Sequence, residues 1–195
     1  MRTIRLVCAV ACLVMLAACS ATPDGTAPSG VTNAQSATPV GPGATPAGSP
    51  SLRAAVLGPA GFGELKLGMT RQQAEATGLI APFQDQTVSG ACSGRSQLRG
   101  APAEEGVVFH HEQLGVAVIV AYADVKTPEG IGIGSSADDV FRAYPDWKSF
   151  SDPGERTGRG GAKVPGNAKA SYLISINNAV VTDLTLAYNG HNCFN

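Results

Sequence analysis

The segments LKLGMT (residues 65–70) and IGIGSS (residues 131–136) repeat one pattern at a spacing of 66 residues. A second pair, VIVAY (residues 118–122) and LTLAY (residues 184–188), has the same spacing without a gap. A common spacing for two separate blocks predicts an internal duplication. The two units cover about residues 61–125 and 127–191.

Each unit contains signals for a helix that begins directly after the repeated block. Thr70 and Ser136 are candidate N-caps, since their hydroxyl groups can accept hydrogen bonds from the first helical turn. The pattern predicts helices over residues 70–77 and 136–144. The first is expected to end before Gly78, because glycine readily adopts the left-handed conformation found just after helices.

Apolar and β-branched runs after each helix predict hairpins. The expected strand pairs are residues 107–111 with 116–122, and residues 172–176 with 180–188. Residues 152–168 contain five glycines and two prolines and are expected to form a long loop. The predicted fold class is α+β: two tandem helix–β-hairpin repeats forming one antiparallel sheet with helices on one face.

The N-terminal part of the chain reads as an export and anchoring segment. Arg2 and Arg5 precede an apolar run over residues 6–16, too short to cross a bilayer, which needs about 20 residues. The run ends in Leu-Ala-Ala-Cys at Cys19, which resembles the lipobox of bacterial lipoproteins. The resemblance implies a signal peptide over residues 1–18 and a lipid on Cys19. An ordinary cleaved signal that releases a soluble protein is the alternative.

Composition then separates a linker from a domain. Residues 19–51 consist mainly of Ala, Thr, Pro, Gly and Ser, with Asp24 as the single charged residue, and predict a disordered tether. Residues 52–195 carry the apolar runs and predict one globular domain. The formal net charge is −1, and it becomes −3 once residues 1–18 are removed. No run of Lys and Arg is present, so the sequence argues against nucleic-acid binding.

Two cysteines remain in the predicted domain, Cys92 and Cys193. An exported protein can form disulfides, so these two are expected to pair. The open alternatives are two free thiols or a metal site with His191. Zinc is disfavoured because no closely spaced cysteine pair is present.

No group of residues predicts catalysis. His110 and His111 are neighbours on a predicted strand, so their side chains point to opposite faces and cannot act together. Asp138 and Asp139 lie in the first turn of a predicted helix, where they complement the helix dipole. The sequence predicts no catalytic residue, metal or cofactor.

One face of the sheet is a candidate site for a protein partner. If Val108 and His110 point inward, an outward patch follows, and an exposed patch centred on Phe109 would indicate a binding site. The opposite alternation would place the same residues in the core. The candidate partner-binding residues are Val107, Phe109, His111, Ile119, Asp183 and Thr185.

Residues 63–71 (GELKLGMTR) resemble a motif shared by two families. One comprises the small outer-membrane lipoproteins of the β-barrel assembly machinery, which carry the motif once. The other has the β-lactamase inhibitor protein-like fold, in which a helical segment and a sheet occur as tandem repeats. Two copies favour the second family, whose inhibitors bind their partner on a concave sheet.

The sequence therefore predicts a lipid-anchored, exported, non-catalytic module of the cell envelope. It would be held on the extracytoplasmic side of the cell membrane through Cys19 and would bind an unidentified protein partner. The alternative is a protein inhibitor of an extracellular hydrolase such as a β-lactamase.

Overall fold

The computed structural model describes residues 56–85 and 90–194, which all lie within one compact unit, Ala47–Asn195. The predicted signal peptide, Cys19 and the linker lie outside the described residues. Within the described ranges, no helix is long and apolar enough to cross a membrane.

The described chain is mostly β-structure. Its elements are β1 (Leu57–Gly58), β2 (Gly61–Phe62), β3 (Leu65–Lys66), α1 (Arg71–Ala76), β4 (Gln84–Asp85), β5 (Cys92–Gln97), β6 (Val107–His111), β7 (Gly115–Val120), α2 (Ala137–Ala143), β8 (Lys148–Ser149), β9 (Gly158–Val164), β10 (Asn167–Asn177) and β11 (Val180–Tyr188). The strands form two antiparallel sheets, a small one in the order β1-β2-β3 and a large one in the order β4-β5-β6-β7-β11-β10-β9-β8.

The large sheet consists of two groups of four consecutive strands. Strands β4 to β7 follow α1, and strands β8 to β11 follow α2. The groups join where β11 pairs with β7, with Thr185 opposite Val120 and Leu186 opposite Ile119. Within each group every strand pairs with its neighbour in sequence, as expected for antiparallel strands joined by short connections.

The predicted fold class is therefore corrected in two respects. The domain has two sheets instead of one, and each helix is followed by four strands instead of a hairpin. The hairpin strands β6, β7, β10 and β11 lie where the sequence predicts them. Two of the additional strands, β4 and β8, are only two residues long, too short for a pattern of alternating apolar residues to be visible.

Strand β9 replaces much of the predicted loop over residues 152–168. Glycine normally weakens a strand, but here it makes close packing possible. Gly160 lies against the Trp147 indole, where an added Cβ would be 2.4 Å from the ring. The Trp147 ring nitrogen donates to the Ile174 carbonyl on the next strand at 3.3 Å. The glycines that predict a loop thus leave room for an aromatic side chain against the sheet.

The helices form as the capping residues predict. The Thr70 hydroxyl accepts from the Gln73 backbone N–H, and the Gln73 side chain accepts from the Thr70 N–H, which completes a capping box. The Ser136 hydroxyl accepts from the Asp139 N–H at 3.1 Å. Both helices are short, so their position depends on packing against the sheet more than on helix propensity.

The main core lies between the helices and one face of the large sheet, called here the inner face. Val140 and Tyr144 from the second helical region meet Tyr172, Ile174 and other strand residues in this core. The Tyr172 hydroxyl donates to the Leu57 carbonyl at 2.9 Å and so ties the large sheet to the small one. Because the core covers the inner face, the opposite face is the one left for contacts with other molecules.

Candidate functional site

The candidate site lies on the face of the large sheet that points away from the helices, called here the open face. Cross-strand pairing places its residues in three rows. The rows are Lys163–Ser171–Ala187–Val118–Phe109–Arg95, then Lys148–Gly161–Leu173–Thr185–Val120, and Arg159–Ser175–Asp183. Several of these side chains are half-buried, so the surface is neither a core nor a fully solvated face.

The predicted patch is only partly on this surface. Phe109, His111, Asp183 and Thr185 belong to the open face, as does Val107, which pairs with Gln97. Of these five residues, only His111 and Asp183 remain half-exposed.

Ile119 belongs to the inner face, and the prediction for it is wrong. It pairs with Val108, and both side chains are fully buried in the main core. The register between β6 and β7 shifts at Phe109 and His110, leaving Ala117 as an extra residue in β7. A bulge of this kind changes which residues share a face, so alternation counted along the sequence fails there.

Phe109 is not the exposed centre of a patch, because the C-terminal segment covers it. Only 9% of its surface is accessible. The disulfide between Cys92 and Cys193, with Cα atoms 5.0 Å apart, holds this segment across the open face and confirms the predicted pairing. The Phe194 ring packs edge-on against the Phe109 ring at 5.5 Å. The covering segment thus converts the predicted patch into a second, smaller core.

The C-terminal segment borders a groove of about 240 Å³ on the open face. Its apolar walls include Phe150, which is 61% exposed, and Phe194, which is 39% exposed. Leu173, Arg159 and His191 also line the groove. The Phe150 ring lies over Gly161, where an added Cβ would be 3.1 Å from the ring. Exposed aromatic side chains beside a recess are typical of sites that bind another protein.

Sequence reasoning missed Phe150, Arg159 and Phe194. Arg159 falls within the predicted loop over residues 152–168, and Phe150 lies two residues before it. Arg159 lies over the Phe194 ring at 5.1 Å, and this contact orients the guanidinium group toward the groove. A lone phenylalanine beside the last cysteine was the available signal for Phe194, because a disulfide places its neighbours on the surface it spans.

Three cations, Lys148, Arg159 and Lys163, lie at the β8–β9 end of the open face. The ion pairs of the described residues are Arg71–Asp85, Arg95–Glu104, Arg142–Asp139 and Arg156–Asp138. Arg95, the cation of the first strand group on this face, is paired with Glu104, whereas the three cations of the second group form no ion pair among the described residues. The three cations outnumber the neighbouring carboxylates of Asp146 and Asp183, so this end of the face carries excess positive charge.

Two titratable groups border this region. Burial raises the pKa of Asp183, opposed by the hydrogen bond from Thr185 and the charge of Arg159. Burial and the nearby Arg159 lower the pKa of His191. The His191 Nδ1 atom accepts from the Cys193 backbone N–H at 3.0 Å, so Nδ1 itself carries no proton. The ring proton therefore lies on Nε2, where it can donate to an oxygen atom.

The remaining histidines do not assemble with a nucleophile. The His111 Nδ1 atom accepts from the backbone N–H of Gln113 at 3.0 Å and so fixes the turn after β6. His110 points to the inner face, packs against Phe83 and has a buried Nδ1 atom without a hydrogen-bond partner. Burial, followed by the charge of Arg71, lowers its pKa. In the described part of the chain, no group of three or more His, Cys, Asp or Glu side chains could hold a metal ion.

Comparison with known protein families, with curated proteins and with solved structures finds no match to this chain.

Proposed function

We propose that this protein is a lipid-anchored binding module of the cell envelope, which binds a protein partner in the groove on its open face. The main support for this proposal is the exposed pair Phe150 and Phe194. Both line a groove on the sheet face that points away from the main core. Large aromatic side chains at the centre of a recess supply much of the free energy in protein interfaces.

The anchoring part of the proposal rests on residues 1–51. The short apolar run ending in Leu-Ala-Ala-Cys supports lipidation at Cys19, and the Ala- and Pro-rich stretch supports a tether between membrane and domain. We expect a Cys19→Ser variant to lose incorporated palmitate and to leave the membrane fraction. Retention of this variant in the membrane fraction would remove the lipid anchor from the proposal.

The repeated sequence blocks support duplication of a helix-and-strand unit as the origin of the domain. Two helices, each followed by four consecutive strands, are consistent with this origin. Duplication places two similar surfaces side by side, and the groove lies within the second of them. We therefore assign the binding role to residues that differ between the copies, not to the repeated glycine segments.

In-cell photo-crosslinking tests the binding role. A photoreactive phenylalanine derivative at position 150 samples the groove, and the same group at position 133, an exposed apolar residue outside the open face, is the matched control. We expect a discrete cross-linked protein from position 150 and none from position 133. The same products from both positions, or none from position 150, would contradict a binding role for this face.

A second candidate is an inhibitor of an extracellular hydrolase. The resemblance of residues 63–71 to the β-lactamase inhibitor protein-like fold favours it, together with two four-stranded groups in one sheet. Titration of the full chain against secreted hydrolases, β-lactamases included, separates the two candidates. Stoichiometric loss of hydrolase activity would favour the inhibitor, and unchanged activity across the set would favour a binding module.

A further inference from the structure

We infer that the groove binds an acidic and apolar segment of the partner protein, with a carboxylate held by Arg159 and an apolar side chain between Phe150 and Phe194. This inference rests on the proposed function, since it names the chemistry of a partner for the same groove.

The charge distribution of the open face carries the inference. Lys148, Arg159 and Lys163 lie on neighbouring strands, and the four ion pairs of the described residues include none of them. On the same face, Arg95 donates to Glu104 at 2.8 Å and is neutralised. The three cations outnumber the neighbouring carboxylates of Asp146 and Asp183, so an acidic segment complements the end of the face where the groove lies.

The groove also offers the donors that a carboxylate needs. The guanidinium of Arg159 presents N–H groups in a planar fork that matches the two oxygens of a carboxylate. Stacking on Phe194 limits the conformations of this side chain before a partner arrives. The Nε2–H group of His191, fixed by the bond from Cys193 to Nδ1, is a second donor lining the same groove.

The apolar residues that line the groove indicate that the ligand also contains an apolar side chain. Phe150 projects from the sheet with most of its surface in water, and Leu173 forms part of the groove lining. An apolar side chain inserted here would remove these surfaces from water, which favours binding. Anionic lipid headgroups supply the negative charge but no apolar side chain for the space between the two rings.

Selection from a random peptide library tests the inference. The full chain, purified in detergent, is the bait, and the Arg159→Gln variant is the counter-selection. We expect the selected peptides to combine Glu or Asp with a neighbouring Leu or Phe. A synthetic peptide of the selected sequence should bind the Arg159→Gln variant at least 10-fold more weakly. Arg159→Lys, which keeps the charge without the fork, should give an intermediate loss.

Arg142→Gln is the matched control, because it removes an exposed cation of α2 and should leave peptide affinity unchanged. Selected peptides without acidic residues, or equal affinity for the wild type and Arg159→Gln, would overturn the inference. Competition by dihexanoyl-phosphatidylglycerol, a soluble anionic lipid, would assign the groove to lipid and would also overturn it. A cross-link from position 150 alongside these negative results would retain the binding module and reject only its acidic ligand.

Discussion

At the scale of single residues, the open face depends on positions where a side chain is absent. Gly160 and Gly161 are consecutive in β9, so they point to opposite faces of the sheet. Gly160 accommodates the Trp147 indole on the inner face, and Gly161 accommodates the Phe150 ring on the open face. These two glycines thus make room for two aromatic rings, Trp147 in the core and Phe150 in the wall of the groove.

A Gly160→Ala variant should be less stable than the wild type by about 1–3 kcal/mol, because overpacking displaces neighbouring groups. Its Cβ would be 2.4 Å from both the Trp147 ring and the Lys148 carbonyl oxygen. Urea unfolding measures the difference. Gly58→Ala is the matched control, since its Cβ would be 3.7 Å from the nearest atom. Equal unfolding midpoints for both variants would contradict the packing described at Trp147.

Asp183 is predicted to reduce stability at neutral pH. Burial raises its folded-state pKa above the usual 3.8, so the native state favours the protonated carboxyl group. Its favourable contribution is present below pH 3.8 and is lost as the pH rises through the folded-state pKa. Asp183→Asn should therefore raise the unfolding midpoint at pH 7, and the gain should disappear below about pH 3.8. Thermal unfolding across this pH range measures it, with Glu155→Gln as an exposed control. A gain of the same size at low pH would exclude carboxylate burial as the cause.

At the scale of elements, the two helices have only six and seven residues and depend on their N-caps. Ser136 caps α2, and its hydroxyl also donates to the Asp139 carboxylate at 2.7 Å. This hydrogen bond and the one from Arg142 lower the pKa of Asp139. Ser136, Asp139 and Arg142 thus form one hydrogen-bonded group along the helix.

Ser136→Ala should lower the free energy of unfolding by about 1 kcal/mol, the usual effect of losing an N-cap. Because the folded-state pKa of Asp139 is lowered, its contribution is present above the usual carboxylate pKa and is lost as the pH falls. The variant should consequently show a smaller loss of stability between about pH 5 and pH 2. Urea unfolding at several pH values tests both effects, with the exposed Ser151→Ala as control. An unchanged pH dependence would separate the cap from Asp139.

At the scale of the whole molecule, one disulfide determines which part of the open face is accessible. Cys92 precedes most of the first strand group, and Cys193 follows the last strand. The bond holds Phe194 against Phe109 and leaves Phe150 exposed. The groove exists because a segment from one end of the domain is fixed on strands from the other.

A Cys92→Ser, Cys193→Ser double variant should be less stable by up to about 4.7 kcal/mol, the chain-entropy value for a loop of about 100 residues. It should also expose Val107 and Phe109, which the C-terminal segment covers. Urea unfolding and hydrogen exchange over β6 measure the two effects. Reduced wild-type protein is the matched control and should behave like the variant. Unchanged protection of β6 would mean that the C-terminal segment stays in place without the bond.

The sequence by itself predicted both helices, the four central strands and the pairing of Cys92 with Cys193. These features depend on local signals such as caps and alternating apolar residues, or on there being only two cysteines in the domain. It could not predict the short edge strands, the glycine-rich strand β9 or the inward position of Ile119. Tertiary packing against Trp147 stabilises β9, and a bulge sets the direction of Ile119. Only the tertiary structure brought Lys148, Arg159 and Lys163 together beside Phe150 and Phe194, because strand pairing and a disulfide join residues that are distant along the chain.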